Sequence, residues 1–216
     1  MSHDDILKRL ADSVTGYDVE GTVKAAREAL VANVDPVEAI EKGLAKGVRI
    51  VGEKFGAGEA FLTELMMAAE AIKQGLAVLE PAIPKGKGRE SLGKILIGTV
   101  EGDIHDIGKS IVSTMLSASG FEVVDLGIDV PTNLFVEKVK ELKPDIVAMS
   151  ALMTTTMANM KKVVALLEKE GLRQQTKILI GGAPTSKAWA QQAGADAHAT
   201  DAMDAVRVAK ELRAIL

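Results

Sequence analysis

KILIGTVEGDIHDIGKSIVSTML, residues 94–116, decides the fold. KILIGTV is a short apolar run with the look of a buried strand, and IVSTML belongs to a helical pattern over about 107–119. The turn between them, EGDIHDIGKS from Glu101 to Ser110, places His105, one of only three histidines, between Asp103 and Asp106 and ahead of Gly108. Downstream, FEVVDLG, DIVAMSAL, KILIGGA and ADAHAT are four more strand candidates. Helical patterns over about 132–142, 156–170, 185–193 and 202–214 alternate with them. Buried strands alternating with helices predict a doubly wound, Rossmann-like (flavodoxin-like) parallel sheet of five strands over 94–216.

Upstream the period is helical throughout. Ile6, Leu7, Leu10, Ala11 and Val14 recur at helical spacing, as do Val19, Val23, Ala26 and Leu30. At NVDPVEAIEKG, Asp35 can cap a helix that Pro36 begins, and Val37, Ile40, Leu44, Val48, Val51 and Phe55 then form one stripe. A fourth helix is expected from about Phe61 to Leu79, stopped by Pro81. The organisation read from the chain is a four-helix bundle over 1–83, a Pro/Gly-rich linker over 84–93 and the α/β domain over 94–216.

Composition narrows the chemistry. The 216 residues contain no cysteine, which excludes disulfides and thiolate chemistry. Net charge is −4 with no basic block, so nucleic acid is not an expected partner. No leader and no apolar run of membrane-spanning length is seen, so a cytoplasmic protein is expected.

In a parallel sheet, ligands bind beyond the carboxyl ends of the strands. The segments there are EGDIHDIG, GIDVPTN, MSALMTTTM, GGAPTS and ATDA, rich in small and hydroxyl residues. Turns and helix caps use the same residue types, so any one loop is weak evidence. His105 is the sharpest feature. Its plain reading is a surface histidine capping the next helix. The rival is metal ligation, with Asp103 holding the other ring nitrogen. One histidine cannot hold a free zinc ion, which wants three or four ligands. A single protein ligand makes sense when the metal arrives in a macrocycle, either a haem or a corrinoid. The loop is not a G-x-G-x-x-G turn or a P-loop, and Ser150 lies on no nucleophile elbow.

Asp103-Ile104-His105-Asp106-Ile107-Gly108 resembles the D-x-H-x-x-G signature of cobalamin-binding domains. Ser150-Ala151-Leu152 resembles the accompanying S-x-L, and Gly181-Gly182 the paired glycines. VGEKFGAGEAFLTELM is similar to the helical cap of methionine synthase and of the small corrinoid proteins of methyltransferase systems. The resemblance implies cobalamin or a related corrinoid bound base-off, with His105 as lower cobalt ligand, Asp103 as its hydrogen-bond partner and the Thr156 hydroxyl continuing that relay. It implies that Asp103 to Gly108, including Ile104, Asp106 and Ile107, lie against the cofactor. Ser150, Leu152, Met153 and Thr154 would contact the nucleotide tail, with room left by Gly181, Gly182 and Ala183. Ala199, Thr200 and Asp201 would line the far end, and Phe55 and Leu62 would cover the upper face. The small corrinoid proteins often carry an aromatic where this chain has His198.

The function implied is a methyl carrier, not catalytic alone. Cobalt(I) would take a methyl group from a substrate-specific methyltransferase and pass it to a second methyltransferase acting on a thiol or tetrahydrofolate. A reductive activase is the third expected partner. The absence of further domains points to a free-standing carrier whose cap swings on the linker. The alternatives are a cobalamin-dependent sensor, the cobalamin subunit of a mutase, and a response-regulator-like or flavodoxin-like module.

Overall fold

The computed structural model describes residues 2–83 and 91–214. The chain divides into two compact units, Met1–Glu90 and Ser91–Leu216. Residues 84–90, most of the expected linker, lie outside the described residues.

The first unit is helical. Helix α1 (His3–Thr15) begins with a capping box in which the Ser2 hydroxyl accepts from Asp5 N–H and the Asp5 carboxylate accepts from Ser2 N–H. Asp18 caps α2 (Val19–Val31) in the same manner from one side. Asp35 accepts from the N–H groups of Val37 and Glu38 at the start of α3 (Pro36–Glu38), a single turn. Sequence period predicts one unbroken α-helix from there. Instead the helix widens into a π-helical stretch, Ala39–Leu44, before α4 (Ala45–Gly56). The wider turns bring Ala39, Ile40, Gly43 and Leu44 all into the core. Helix α5 (Leu62–Leu79) follows, ending in a 3-10 turn, Glu80–Ala82.

Two glycines set how closely α1 can approach. A Cβ on Gly43 would stand 2.8 Å from Leu10 Cβ, and one on Gly47 would stand 2.7 Å from Val14 Cβ and 2.9 Å from the Ala11 carbonyl oxygen. Alanine in place of glycine within a helix gains about 1 kcal/mol. Forcing a methyl against unyielding backbone costs about 1–3 kcal/mol. Overpacking wins at Gly47, so Gly47→Ala is expected to lower stability by about 1–2 kcal/mol in urea titrations. Gly56→Ala, where a Cβ would meet nothing within 4 Å, is the control and is expected to be neutral or stabilising.

The second unit is a five-stranded, all-parallel sheet in the order β2-β1-β3-β4-β5. The strands are β1 (Lys94–Thr99), β2 (Glu122–Asp125), β3 (Ile146–Ser150), β4 (Lys177–Gly181) and β5 (Ala197–Ala199). Helices α6 (Ile107–Ala118), α7 (Thr132–Leu142), α8 (Ala158–Lys169), α9 (Lys187–Ala193) and α10 (Ala202–Ala214) connect and follow them. The central strands are apolar on both faces because helices cover both. One face packs Leu96, Val147, Met149, Ile178 and Ile180 against Phe135, Val139, Val163 and Leu167 of α7 and α8. The chain leaves β1 toward β2 on one side and meets β3 on the other, so the order reverses between β1 and β3. In sheets of this kind the loops diverge at such a point and leave a crevice at the carboxyl ends of the strands.

Candidate functional site

Both sides of that crevice carry the singled-out residues. Gly102, at φ +80°, turns the chain out of β1, and its N–H donates to Asp129 at 2.6 Å. Asp129 N–H donates in turn to the Asp103 carbonyl, 2.9 Å. The Thr99 hydroxyl donates to the His105 carbonyl, 3.0 Å. The loop is thus pinned from β1 and from the segment after β2, and its conformation does not depend on side-chain packing alone.

Asp103 is fully buried, and five donors converge on it. Its Oδ2 accepts from the Thr156 hydroxyl at 2.6 Å and from the N–H groups of Leu152 and Met153 at 2.8 and 3.3 Å. Its Oδ1 accepts from the His105 N–H at 3.1 Å and lies 2.7 Å from His105 Nδ1. Burial alone would raise the carboxyl pKa. The hydrogen bonds from Thr156, Leu152 and His105 outweigh it and hold Asp103 well below the usual carboxylate range. An ionised carboxylate only accepts, so Nδ1 carries the proton and Nε2 keeps its lone pair. The His105 side chain is 47% exposed, and Nε2 has no protein partner among the described residues.

Asp106 precedes α6 and is anchored at its base. Lys109, a buried lysine, donates to Asp106 at 2.9 Å and also pairs with Asp125 at the end of β2. The bond from Lys109, with one from Ser110, lowers the Asp106 pKa. Sequence reading missed Lys109, Asp125 and Asp129. The one available signal was a lysine spaced three residues from Asp106 on a helix that had to be half buried.

Ser150, Gly181 and Ala199 stand in register across β3, β4 and β5, in the same row as Thr99 of β1. Leu152, Met153 and Thr154 follow in an exposed loop, as do Gly182 and Ala183. Thr200 and Asp201 sit beyond β5, but their polar atoms are engaged in starting α10: Asp201 accepts from the N–H groups of Met203 and Asp204, and the Thr200 hydroxyl binds Asp204. In the helical unit, Phe55 is half-buried while Leu62 is exposed, together with Phe61, Met66 and Met67.

The two glycines of the pair differ. Gly182 lies at φ +120°, and a Cβ there would stand 1.9 Å from the Ala151 carbonyl oxygen, so the fold itself demands glycine. A Cβ on Gly181 would come no nearer than 3.3 Å to protein. Gly108, on the first turn of α6, has open space around it. Neither sterics within the chain nor backbone angle accounts for glycine there.

The donor set fits one kind of occupant. Among the described residues no group of three or more His, Asp or Glu could hold a bare metal ion. One imidazole nitrogen with a free lone pair is offered instead. Around it Ile104, Ile107, Ile128, Leu152 and Met153 are exposed apolar side chains. Such a rim suits a broad, partly apolar macrocycle that already fills most positions on its metal.

Comparison with known proteins agrees. A B12 binding domain model matches residues 93–207, and a second B12 binding domain model matches residues 6–80. The chain belongs to the B12-binding family. Within it, this B12-binding chain is 51% identical over 208 residues to the trimethylamine corrinoid protein of Methanosarcina barkeri, covering 96% of each. It is 49% identical over 214 residues to the dimethylamine corrinoid protein of the same organism, covering 99% of this chain and 100% of that one. Its structure matches the methanol:cobalamin methyltransferase complex of Methanosarcina barkeri with a TM-score of 0.85 at 30% identity, over 98% of this chain and 80% of that one. In this B12-binding chain, no helix among the described residues is long and apolar enough to cross a membrane.

Proposed function

We propose that this chain is a corrinoid methyl carrier, working in the cytoplasm between two methyltransferases and not catalytic by itself. When bound, the corrinoid supplies a cobalt centre that takes up and releases a methyl group. The protein's part is to hold, orient and tune it. The observation that carries the reading is His105, with Nδ1 held by a buried carboxylate and Nε2 open to the crevice inside an apolar rim. His105 is the lower cobalt ligand in this reading. Asp103 fixes its tautomer and strengthens it as a donor, and Thr156 sustains the charge on Asp103. Ser150, Thr154 and Gly181 border the path of the nucleotide tail, and Gly108 leaves room beside the histidine. Phe55 and Leu62 of the helical unit supply apolar surface for the upper face. The exposure of Leu62 supports that role over an ordinary place in the core.

The identity to tri- and dimethylamine corrinoid proteins favours a methylamine as the methyl source. A donor-specific methyltransferase, an acceptor methyltransferase acting on a thiol or tetrahydrofolate, and a reductive activase complete the set. The sensor and mutase-subunit readings have no comparable support among these relatives.

The test is reconstitution with hydroxocobalamin, removal of free cofactor and comparison of visible spectra. The wild type is expected to retain corrinoid with a histidine-ligated spectrum. His105→Ala is expected to lose that signature and to retain roughly ten- to hundredfold less tightly, as changes around a metal ligand do. Failure of the wild type to retain any corrinoid, with or without oxygen, would overturn the reading.

A further inference from the structure

A groove of about 650 Å³ runs along the outer face of α2 in the helical unit, with Glu70 and Gln74 of α5 on its other wall. Val31, at one end, is 84% exposed, more than any other large apolar side chain among the described residues. A lone exposed valine needs no explanation. This one ends a line, because Val19, Val23, Arg27 and Val31 all border the groove at four-residue spacing. Ridges of that spacing are the ones by which helices most often pack on one another. The unit's other exposed large apolar side chains, Phe61, Met66 and Met67, fall at the start of α5 with Leu62, which the corrinoid reading already uses.

The charges say what kind of partner fits. Glu20, Lys24 and Arg27 enter no ion pair among the described residues. Glu28 is taken by Arg9, and Glu70 accepts only an amide hydrogen bond from Gln74, 2.7 Å. Glu20 and Glu70 thus balance Lys24 and Arg27. A groove built for an acidic or a basic partner would carry one sign. Equal signs on one face of a chain with net charge −4 fit a partner that carries the same mixture.

The line is also its own reverse. Both ends are valines, and its midpoint falls between Val23 and Arg27. Two copies laid antiparallel about a two-fold axis at that midpoint set Val19 of each on Val31 of the other. Arg27 of each then lies beside Val23 of the other and one turn from its Glu20. We propose that this face of α2 is the two-fold interface of a homodimer, joining the helical units of two copies. Val31 is the apolar anchor at each end, and Arg27 with Glu20 fixes the antiparallel register. The inference stands apart from the corrinoid reading and uses no residue of the α/β unit.

Sedimentation equilibrium on the full chain tests it. The wild type is expected to associate reversibly to a dimer at protein concentrations up to about 1 mM. Val31→Asp buries an unpaired charge at each end and is expected to weaken the dimer by about tenfold or more. Its side chain is exposed in the single chain, so folding should survive, which circular dichroism checks. Arg27→Glu alone and Glu20→Arg alone each set like charges across the axis twice and should weaken it by about tenfold as well. Mixed in equal amounts, these two variants should recover a heterodimer close to wild-type strength, because every acid then meets a base. Damage within a single chain would not be repaired by mixing. A wild type that stays monomeric throughout overturns the inference and leaves the groove to a different protein. A dimer untouched by the three variants lies elsewhere and overturns it too, as does failure to recover on mixing.

Discussion

Asp103→Asn is expected to destabilise the α/β unit by about 1–3 kcal/mol and to cut corrinoid retention roughly ten- to hundredfold. The size of the substitution is nearly nil; the effect comes from donors. Five donor groups point at the two carboxylate oxygens. An amide oxygen can satisfy only one side. Kept toward Leu152, Met153 and Thr156, it turns its NH2 on the His105 N–H and ring. The backbone N–H is then left facing a donor. The ring can answer only by accepting at Nδ1, which moves its proton to Nε2 and removes the lone pair offered to the ligand. Urea titration measures the first loss, nitrogen-15 NMR the tautomer, and gel filtration with hydroxocobalamin the retention. Unchanged retention with the tautomer reversed would refute the assignment of Nε2 as the ligand atom.

The same carboxylate predicts a response to acid. Its pKa in the folded chain lies below its unfolded value of about 3.9. The stabilisation is therefore complete above that unfolded value and is lost as pH falls toward the folded one. Stability of the wild type should drop on acidification below about pH 4 more steeply than that of Asp103→Asn, which has no proton to take up at this position.

Much of the fold was legible because its periods are strong. The strand candidates KILIGTV, DIVAMSAL and KILIGGA are apolar on both faces, as central parallel strands must be, and they form β1, β3 and β4. Asp35 and Pro36 announced a helix start. The π-helical stretch after it was not legible. It adds no residue that a 3.6 period forbids, and its partner, Leu10 against Gly43, comes from a different helix. In the site, the strand-end rule located Ser150, Gly181 and Ala199, and register puts them in one row. Contacts that run between loops could not be read that way. Lys109 reaches Asp125 and Gly102 reaches Asp129, and both pairs exist only once β1 and β2 lie side by side.

Gly182→Ala and Gly108→Ala should fail in opposite ways, although both replace a glycine of the family signature. At Gly182 the backbone sits at φ +120°, and the new Cβ would fall 1.9 Å from the Ala151 carbonyl oxygen. That atom belongs to Ala151, the residue just after β3, whose own N–H donates to the Gly181 carbonyl, so it cannot step aside without disturbing the join between β3 and β4. Strain at such an angle costs about 1–3 kcal/mol and overpacking about as much again. The sum is a large share of a domain's stability of about 5–15 kcal/mol, and the variant should unfold early or accumulate as insoluble protein. At Gly108 a Cβ meets nothing, and the residue is helical, so alanine should raise stability by up to about 1 kcal/mol. It should nevertheless weaken corrinoid retention, because the space it fills lies on the first turn of α6, three residues from His105. Thermal melting of the apoprotein and equilibrium binding of hydroxocobalamin separate the two. A Gly108→Ala chain that is more stable and binds as tightly as wild type would remove the ligand from that side of the histidine.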